Sequence, residues 1–216
     1  RLAATAARPR PPLEPGRRFR VTLPLDDCAH AFAAGHRVRL AVSNAYWPTV
    51  WPSPEPVALT LHGGAPTLVL PVRPPRPEDA TLGAFAEPEA ATPWSVTTLS
   101  PPSAERRPSH DVPSGRTTMR IEDDSGRFRL DDHGLEVRQV SRLTYGVDAD
   151  APGSARIDIH WTTERGRGPW QVRVETRTTM TSTPTAFQLA ATLEAFEGER
   201  RVHAQVWTRE IPRDLV

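Results

Sequence analysis

The sequence contains no lysine, so all 27 of its positively charged residues are arginines, and its 26 acidic residues leave a formal net charge of +1. A chain so close to neutral has no overall field to attract a polyanion, which argues against nucleic-acid binding. No apolar run approaches the roughly 18 residues needed to cross a bilayer. We therefore expect neither nucleic acid nor a membrane among its partners.

Cysteine is nearly absent as well, since Cys28 is the single one in the chain. This count excludes an internal disulfide framework and a multi-cysteine zinc site, and it favours a reducing, cytoplasmic location. The seven histidines show no ligand spacing. The acidic clusters do not follow the alternating ligands of a calcium loop, so we expect neither a metal nor a cofactor. These clusters comprise Asp123, Asp124, Asp131 and Asp132, with His133 beside them.

The sequence also lacks the G-x-S-x-G motif that places a serine nucleophile on a tight strand-to-helix turn. Without an activated nucleophile, the chain alone is not expected to perform acyl transfer. The first residue is Arg1, and the opening segment has no secretion-signal pattern, so we interpret the start as a cut edge.

Proline and glycine are abundant, with 24 and 13 residues, and they separate short apolar stretches. Because proline removes a backbone donor and clashes with the preceding helical turn, this distribution of proline and glycine argues against long helices. Apolar residues alternate with polar ones over residues 18–25, 36–42, 57–61 and 68–72, which is typical of half-buried strands. The sequence therefore predicts an all-β chain that begins with an antiparallel sandwich or roll.

The remaining sequence divides at its proline-rich centre. We predict later strands of a sandwich domain over 1–73, a linker over 74–114 with one short strand at 94–99, and a second β domain over 115–216. The second domain is predicted to be an antiparallel meander, because its alternating stretches are separated by turn compositions such as SGR, TSTPT and EGE. Its last alternating stretch contains Val202, Ala204 and Val206.

The most unusual local feature is the stretch SNAYWPTVWPSPEP, in which Tyr46, Trp47 and Trp51 stand among four prolines. Three rings in a stiff loop suit a stacking platform for a sugar or an aromatic substrate. They also suit a packing role, in which they plug the end of the sandwich or are buried against another domain, and this is the role we favour. A third hypothesis is an apolar-ligand pocket inside a barrel-like second domain, near Trp161, Trp170 and Trp207.

One segment carries a resemblance to a known family. Residues 25–54, LDDCAHAFAAGHRVRLAVSNAYWPTVWPSP, resemble the C-terminal β domain of the CocE/NonD hydrolases, which include cocaine esterase, α-amino-acid ester hydrolases and X-Pro dipeptidyl-peptidases. The resemblance continues through LVLPVRP at 68–74. The ending WTREIPRDLV, residues 207–216, is similar to the C-terminal extension of longer members.

The resemblance implies a non-catalytic jelly-roll domain of the galactose-binding-like type, packed on an upstream α/β-hydrolase domain that holds the serine triad. In that setting the intact enzyme would hydrolyse esters, amides or X-Pro peptides, and this chain would help to shape the active-site entrance. No triad residue is carried onto this sequence, and Tyr46, Trp47 and Trp51 are the candidates for an interdomain or substrate-side role. The alternative is a free-standing carbohydrate-binding module that uses the same three rings. A homo-oligomer is compatible with either hypothesis.

Overall fold

The computed structural model describes residues 13–27, 29–63 and 67–213, so Cys28 lies outside the described residues. Within these ranges the helical content is a single short 3-10 turn, Pro77–Thr81. All other regular structure is β-strand. The structure therefore confirms the all-β class predicted from the sequence.

The strands form one antiparallel sheet. Each long strand pairs with the next one along the chain, which confirms the predicted meander and is the arrangement that short turns between long strands allow. The strands are β1 (Val96–Ser100), β2 (Ser103–Asp111), β3 (Arg116–Leu130), β4 (Leu135–Asp148), β5 (Ala151–Arg167), β6 (Trp170–Ser182), β7 (Ala186–Glu197) and β8 (Arg200–Pro212).

Strands β1 and β2 lie end to end along β3 and are separated only by Pro101 and Pro102. Opposite this interruption β3 carries a bulge, because Ser125 and Gly126 together face one position of β4. Gly126 has a φ of +68°, and a Cβ at this position would lie 2.4 Å from the backbone oxygen of Ser100. A glycine is therefore required at the interruption.

These strands differ from the secondary structure predicted for the proline-rich centre. The predicted short strand at 94–99 is found as β1, but residues 103–111 form β2 where a linker was predicted. Proline is tolerated in β2 because this strand lies at the edge of the sheet, where a missing N–H need not face a partner. The predicted break at SGR, residues 125–127, is the bulge inside β3.

The two faces of the sheet differ in chemistry. Because directly opposite residues share a face, the pairing places one set of apolar side chains together across β3 to β8. This apolar face includes Ile121, Leu143, Ile159, Val174, Leu193 and Trp207. In β8 the register puts Trp207, opposite Ala191, on this face, and Val206 on the other. The register also places Ala204 opposite Glu194 and Val206 opposite Thr192, so the alternation of Ala204 and Val206 does not mark the apolar face.

The opposite face carries cross-strand ion pairs. Arg138 Nη2 lies 2.6 Å from Asp124 Oδ2, and Arg142 Nη2 lies 3.0 Å from Glu122 Oε1. The hydrogen bond from Arg138 holds the pKa of Asp124 below its usual range. On β5, burial lowers the pKa of His160, whose Nε2 lies 3.5 Å from Glu175 Oε2. This charged face needs no covering layer, whereas the apolar face does.

Residues 13–27, 29–63 and 67–95 contain turns, the 3-10 turn and backbone without regular secondary structure, and they pair with no strand. The strands predicted at 18–25, 36–42, 57–61 and 68–72 are not formed there, and their apolar side chains are exposed: Val21 and Leu40 are each 57% accessible. A single segment cannot form the inter-strand hydrogen bonds of a sheet, so these segments need partner strands before they can form β-structure. The division into domains at residues 73 and 114 stays a prediction.

Candidate functional site at the aromatic loop

The predicted aromatic stretch forms a tight loop, which we define as residues 46–52 and call the aromatic loop. Its turn is closed by the amide of Val50, which donates to the carbonyl of Tyr46 at 2.8 Å. The Trp47–Pro48 peptide is cis. Trp47 and Trp51 lie edge to face, with ring centroids 5.0 Å apart and an interplanar angle of 89°. The loop therefore presents two tryptophans as one aromatic pair.

The tryptophan pair packs on the apolar face of the sheet. Trp47 meets Tyr145 of β4 edge to face at 6.2 Å, and Trp51 meets Phe187 of β7 in the same manner at 5.6 Å. Such aromatic pairs contribute about 0.5–1.5 kcal/mol each beyond the area they bury. The loop and the sheet are therefore joined by an aromatic cluster drawn from distant parts of the chain.

Hydrogen bonds fix the loop at the same place. The indole Nε1 of Trp51 donates to the hydroxyl of Ser182 at 3.0 Å, and Arg213 Nη1 donates to the same hydroxyl at 3.2 Å. Arg213 Nη2 donates to the carbonyl oxygen of Pro52 at 2.5 Å. The guanidinium thus connects the aromatic loop to the end of β6.

Arg213 follows β8 directly and is 1% accessible, which is unusual for an arginine. Its guanidinium lies 4.9 Å from the ring centroid of Phe187, and its Nη1 also donates to the carbonyl of Thr183 at 3.3 Å. Burial lowers the pKa of Arg213 from its ordinary value, but arginine stays protonated at neutral pH. The loop is therefore held by a buried cation that both hydrogen-bonds and stacks.

The structure brings together two of the three predicted site residues. Trp47 and Trp51 are half-buried at the contact, whereas Tyr46 is 68% accessible. Sequence reasoning missed Arg213 and Ser182, because a buried arginine separated from its loop by 161 residues leaves no local pattern. The one available signal is the resemblance of the segment 207–216, which contains Arg213, to the same family as the loop.

The barrel-like pocket hypothesis was wrong. Over the described ranges the sheet is open, with β8 at one border and β1 and β2 at the other, so it encloses no interior. Trp161, Trp170 and Trp207 are each about two-fifths accessible rather than buried around a cavity (39%, 46% and 40%). Closing a barrel would require the first and last strands to pair.

Two of the acidic residues singled out in the sequence, Asp124 and Asp131, have close protein partners. Asp124 is paired with Arg138, and hydrogen bonds from Thr97 and Ser95 hold the pKa of Asp131 below its usual range. Over residues 13–27, 29–63 and 67–213, no three His, Cys, Asp or Glu side chains group closely enough to hold a metal ion. The same residues include no helix long and apolar enough to cross a membrane.

We expect Trp51→Ala to lower the free energy of unfolding by about 2 kcal/mol, because the substitution removes two ring contacts and the hydrogen bond to Ser182. Denaturant unfolding followed by circular dichroism measures the change. The matched control is Tyr46→Ala in the same loop, whose exposed ring predicts a change within about 0.5 kcal/mol. Equal effects of the two substitutions would contradict the packing role of Trp51.

The part of the chain that contains the aromatic loop is similar to a known family. Residues 4–96 match the X-Pro dipeptidyl-peptidase C-terminal non-catalytic domain. This match confirms the resemblance drawn from residues 25–54 and 68–74, while the resemblance of the tail 207–216 lies outside it and stays a prediction. Neither a curated protein nor a solved structure matches the chain. The aromatic loop lies inside the matched span, and most of the sheet lies outside it.

Proposed function

We propose that this chain is an accessory part of a CocE/NonD-type serine hydrolase, because residues 4–96 match the X-Pro dipeptidyl-peptidase C-terminal non-catalytic domain. In this role it supports a catalytic domain and breaks no bond itself. The sequence is consistent with a non-catalytic role, since it contains no G-x-S-x-G nucleophile motif.

The observation that carries the proposal is the exposed apolar surface within the family-matched span. Val21, Leu40 and Leu59 are 57%, 57% and 55% accessible, and each belongs to an alternating segment with one apolar side. Soluble chains seldom leave such sets of side chains uncovered, because apolar surface gains about 25 cal/mol per Å² when it leaves water. An α/β-hydrolase domain that packs on these segments, and whose active-site entrance they border, accounts for the exposure.

The aromatic loop then has a structural role in the proposed contact with a catalytic domain. Trp47, Trp51 and Arg213 hold the family-matched span against the sheet, so the two parts would meet a catalytic domain as one unit. This contact supports the interdomain role of Trp47 and Trp51 over a substrate-side role. A homo-oligomer and a cytoplasmic location stay predictions from the sequence.

The test is hydrolysis by the chain with and without further coding sequence. We expect the 216-residue chain to show no turnover of p-nitrophenyl esters or X-Pro anilides above the buffer rate. The coding sequence ahead of Arg1 should contain a nucleophile elbow, and the polypeptide extended by it should hydrolyse one of these substrates. Hydrolysis by the 216-residue chain, abolished by substituting one of its own serines, would overturn the proposal.

The carbohydrate-binding alternative has weaker support at the aromatic loop. Two of its three rings are turned edge to face against each other and against the sheet, which leaves Tyr46 as the only widely accessible one. A sugar platform needs an open ring face. Sugar binding that is lost in both Trp47→Ala and Trp51→Ala would favour the alternative.

A further inference from the structure

His160 lies in the middle of a row of charged side chains on the charged face of the sheet. Its direct neighbours across the strands are Arg142 of β4 and Arg177 of β6, and Glu122 of β3 lies beyond Arg142. Directly opposite residues share a face and have their Cβ atoms about 5 Å apart. The imidazole ring therefore has an arginine on each side.

The surroundings of His160 favour the neutral ring. Its Nε2 is buried and, over the described part of the chain, has no hydrogen-bond partner. A protonated imidazole carries N–H on both nitrogens, so protonation would place an unpaired charged donor at this buried position. Burial, and after it Arg177 and Arg142, lower the pKa of His160. On the same face of β5, Asp158 is bound by two nitrogens of Arg156 and is thereby neutralised.

The carboxylate nearest to the ring does not compensate a charge on His160. Glu175 Oε2 lies 3.5 Å from His160 Nε2. The same carboxylate is in close contact with Arg173 and lies 3.6 Å from Arg177 Nη2. Two arginines therefore already share this single negative charge, and a protonated His160 would be a third cation competing for it.

The two arginines beside His160 differ in how far their charges are neutralised. Arg142 Nη2 lies 3.0 Å from Glu122 Oε1, which no second arginine approaches among the described residues. Arg177 has only its share of Glu175. A proton on His160 is therefore repelled more strongly from the β6 side than from the β4 side.

The strand pair β5–β6 lies between the two points at which the aromatic loop contacts the sheet. Trp47 contacts Tyr145 on β4, and Trp51 contacts Phe187 on β7. Strands β5 and β6 separate β4 from β7 in the sheet. Loosening of β5 from β6 would therefore move the two halves of the loop's contact relative to each other.

We propose that His160 is an acid-sensitive switch that weakens the pairing of β5 with β6 and, through it, the contact between the sheet and the aromatic loop. An unperturbed histidine titrates near about pH 6.5, so the unfolded or locally opened chain takes up this proton before the folded chain does. The stability that depends on a neutral His160 is therefore complete above that pH. It is lost as the pH falls from there through the lower pKa of the folded chain. Strands β5 and β6 lie outside residues 4–96, so the proposal does not rest on the proposed hydrolase role.

The experiment compares the whole 216-residue chain with its His160→Gln variant at about pH 7.5 and about pH 5. Asp124 and Asp158, whose pKa values are lowered, stay ionised in this range. Between the two pH values, the Tm of the unmodified chain should fall by at least about 3 °C more than that of His160→Gln. The matched control is His203→Gln, an exposed histidine on β8, which should lose as much as the unmodified chain.

Two further measurements locate the effect. Amide hydrogen exchange, compared at the same pH, should show less protection in β5 and β6 when His160 is present than in His160→Gln. Acrylamide quenching of tryptophan fluorescence should rise at about pH 5 in the unmodified chain and less in His160→Gln, because the loop tryptophans become more accessible. Equal acid loss of Tm in the unmodified chain and in His160→Gln would overturn the proposal.

Arg177→Gln provides a test that does not depend on the folding of His160→Gln. The titration of the His160 ring is followed by NMR, with the ring signals assigned from the neighbouring backbone. Removing the adjacent cation should raise the pH midpoint of this titration by at least about 0.3. Arg200→Gln, an exposed arginine of β8 that pairs with Glu197 instead, should leave the midpoint unchanged. A midpoint that Arg177→Gln does not raise, or one in the unmodified chain that is no lower than in the unfolded chain, contradicts the switch.

Discussion

Arg213→Ala is expected to lower the free energy of unfolding by about 3 kcal/mol and to release the aromatic loop from the sheet. The substitution leaves the carbonyls of Pro52 and Thr183 without their donor in a buried place, and it removes the cation from the ring of Phe187. Denaturant unfolding gives the stability change. Acrylamide quenching of tryptophan fluorescence reports the release, because Trp47 and Trp51 should become more accessible.

The matched control for Arg213 is Arg209→Ala in β8, the strand that Arg213 follows. Arg209 is exposed, and among the described residues its guanidinium donates only to the neighbouring carbonyl of Thr208, so a change within about 0.5 kcal/mol is expected. Arg213→Lys keeps the charge but lacks the planar fork, so it should recover less than half of the loss. Equal effects of Arg213→Ala and Arg209→Ala would show that the buried guanidinium does not hold the loop.

Gly126→Ala is expected to cost about 4 kcal/mol or more, the largest effect among the single substitutions considered. Its Cβ would lie 2.4 Å from Ser100 O and 2.7 Å from Pro101 C, and both are backbone atoms that cannot rotate away. The φ of +68° adds strain of its own. Thermal unfolding measures the loss, and separation of β1 and β2 from β3 should appear as reduced amide protection in those strands.

Gly134→Ala separates the steric clash of the added Cβ from the strain of a positive φ as causes of the stability loss. Gly134 has a φ of +70°, nearly the same as Gly126, but nothing lies within 4 Å of the Cβ position. It should therefore show only the conformational cost of about 1 kcal/mol. A Gly126→Ala variant no less stable than the Gly134→Ala variant would mean that the prolines do not pack on the bulge.

The β class and the meander were predictable because they depend on local signals. Residues 170–212 alternate in hydrophobicity, and turns at Gly168, Thr183–Thr185 and Gly198 close hairpins where the composition predicted them. A period of two marks a strand whatever its partner is. It does not mark the register, so the face of Trp207 became clear only from its pairing with Ala191.

Only the loop side of the candidate site was predictable from the sequence. Trp47 and Trp51 form a conspicuous cluster in the sequence, and their number predicted a contact. The residues that receive them, Tyr145, Phe187 and Arg213, look like ordinary members of strands or of a charged tail. Only the folded sheet brings them within reach of the loop. Long-range contacts of this kind have no signature in a single sequence.

The proline interruption beside β3 makes the two borders of the sheet unequal. One border carries Pro101, Pro102 and Pro108, which supply no N–H to an incoming chain. The other border, β8, runs without proline from Arg200 to Ile211, and among the described residues it pairs only with β7. We therefore expect an additional strand, whether from a neighbouring molecule or from an extended peptide, to pair along β8. The prolines of the opposite border disfavour pairing there.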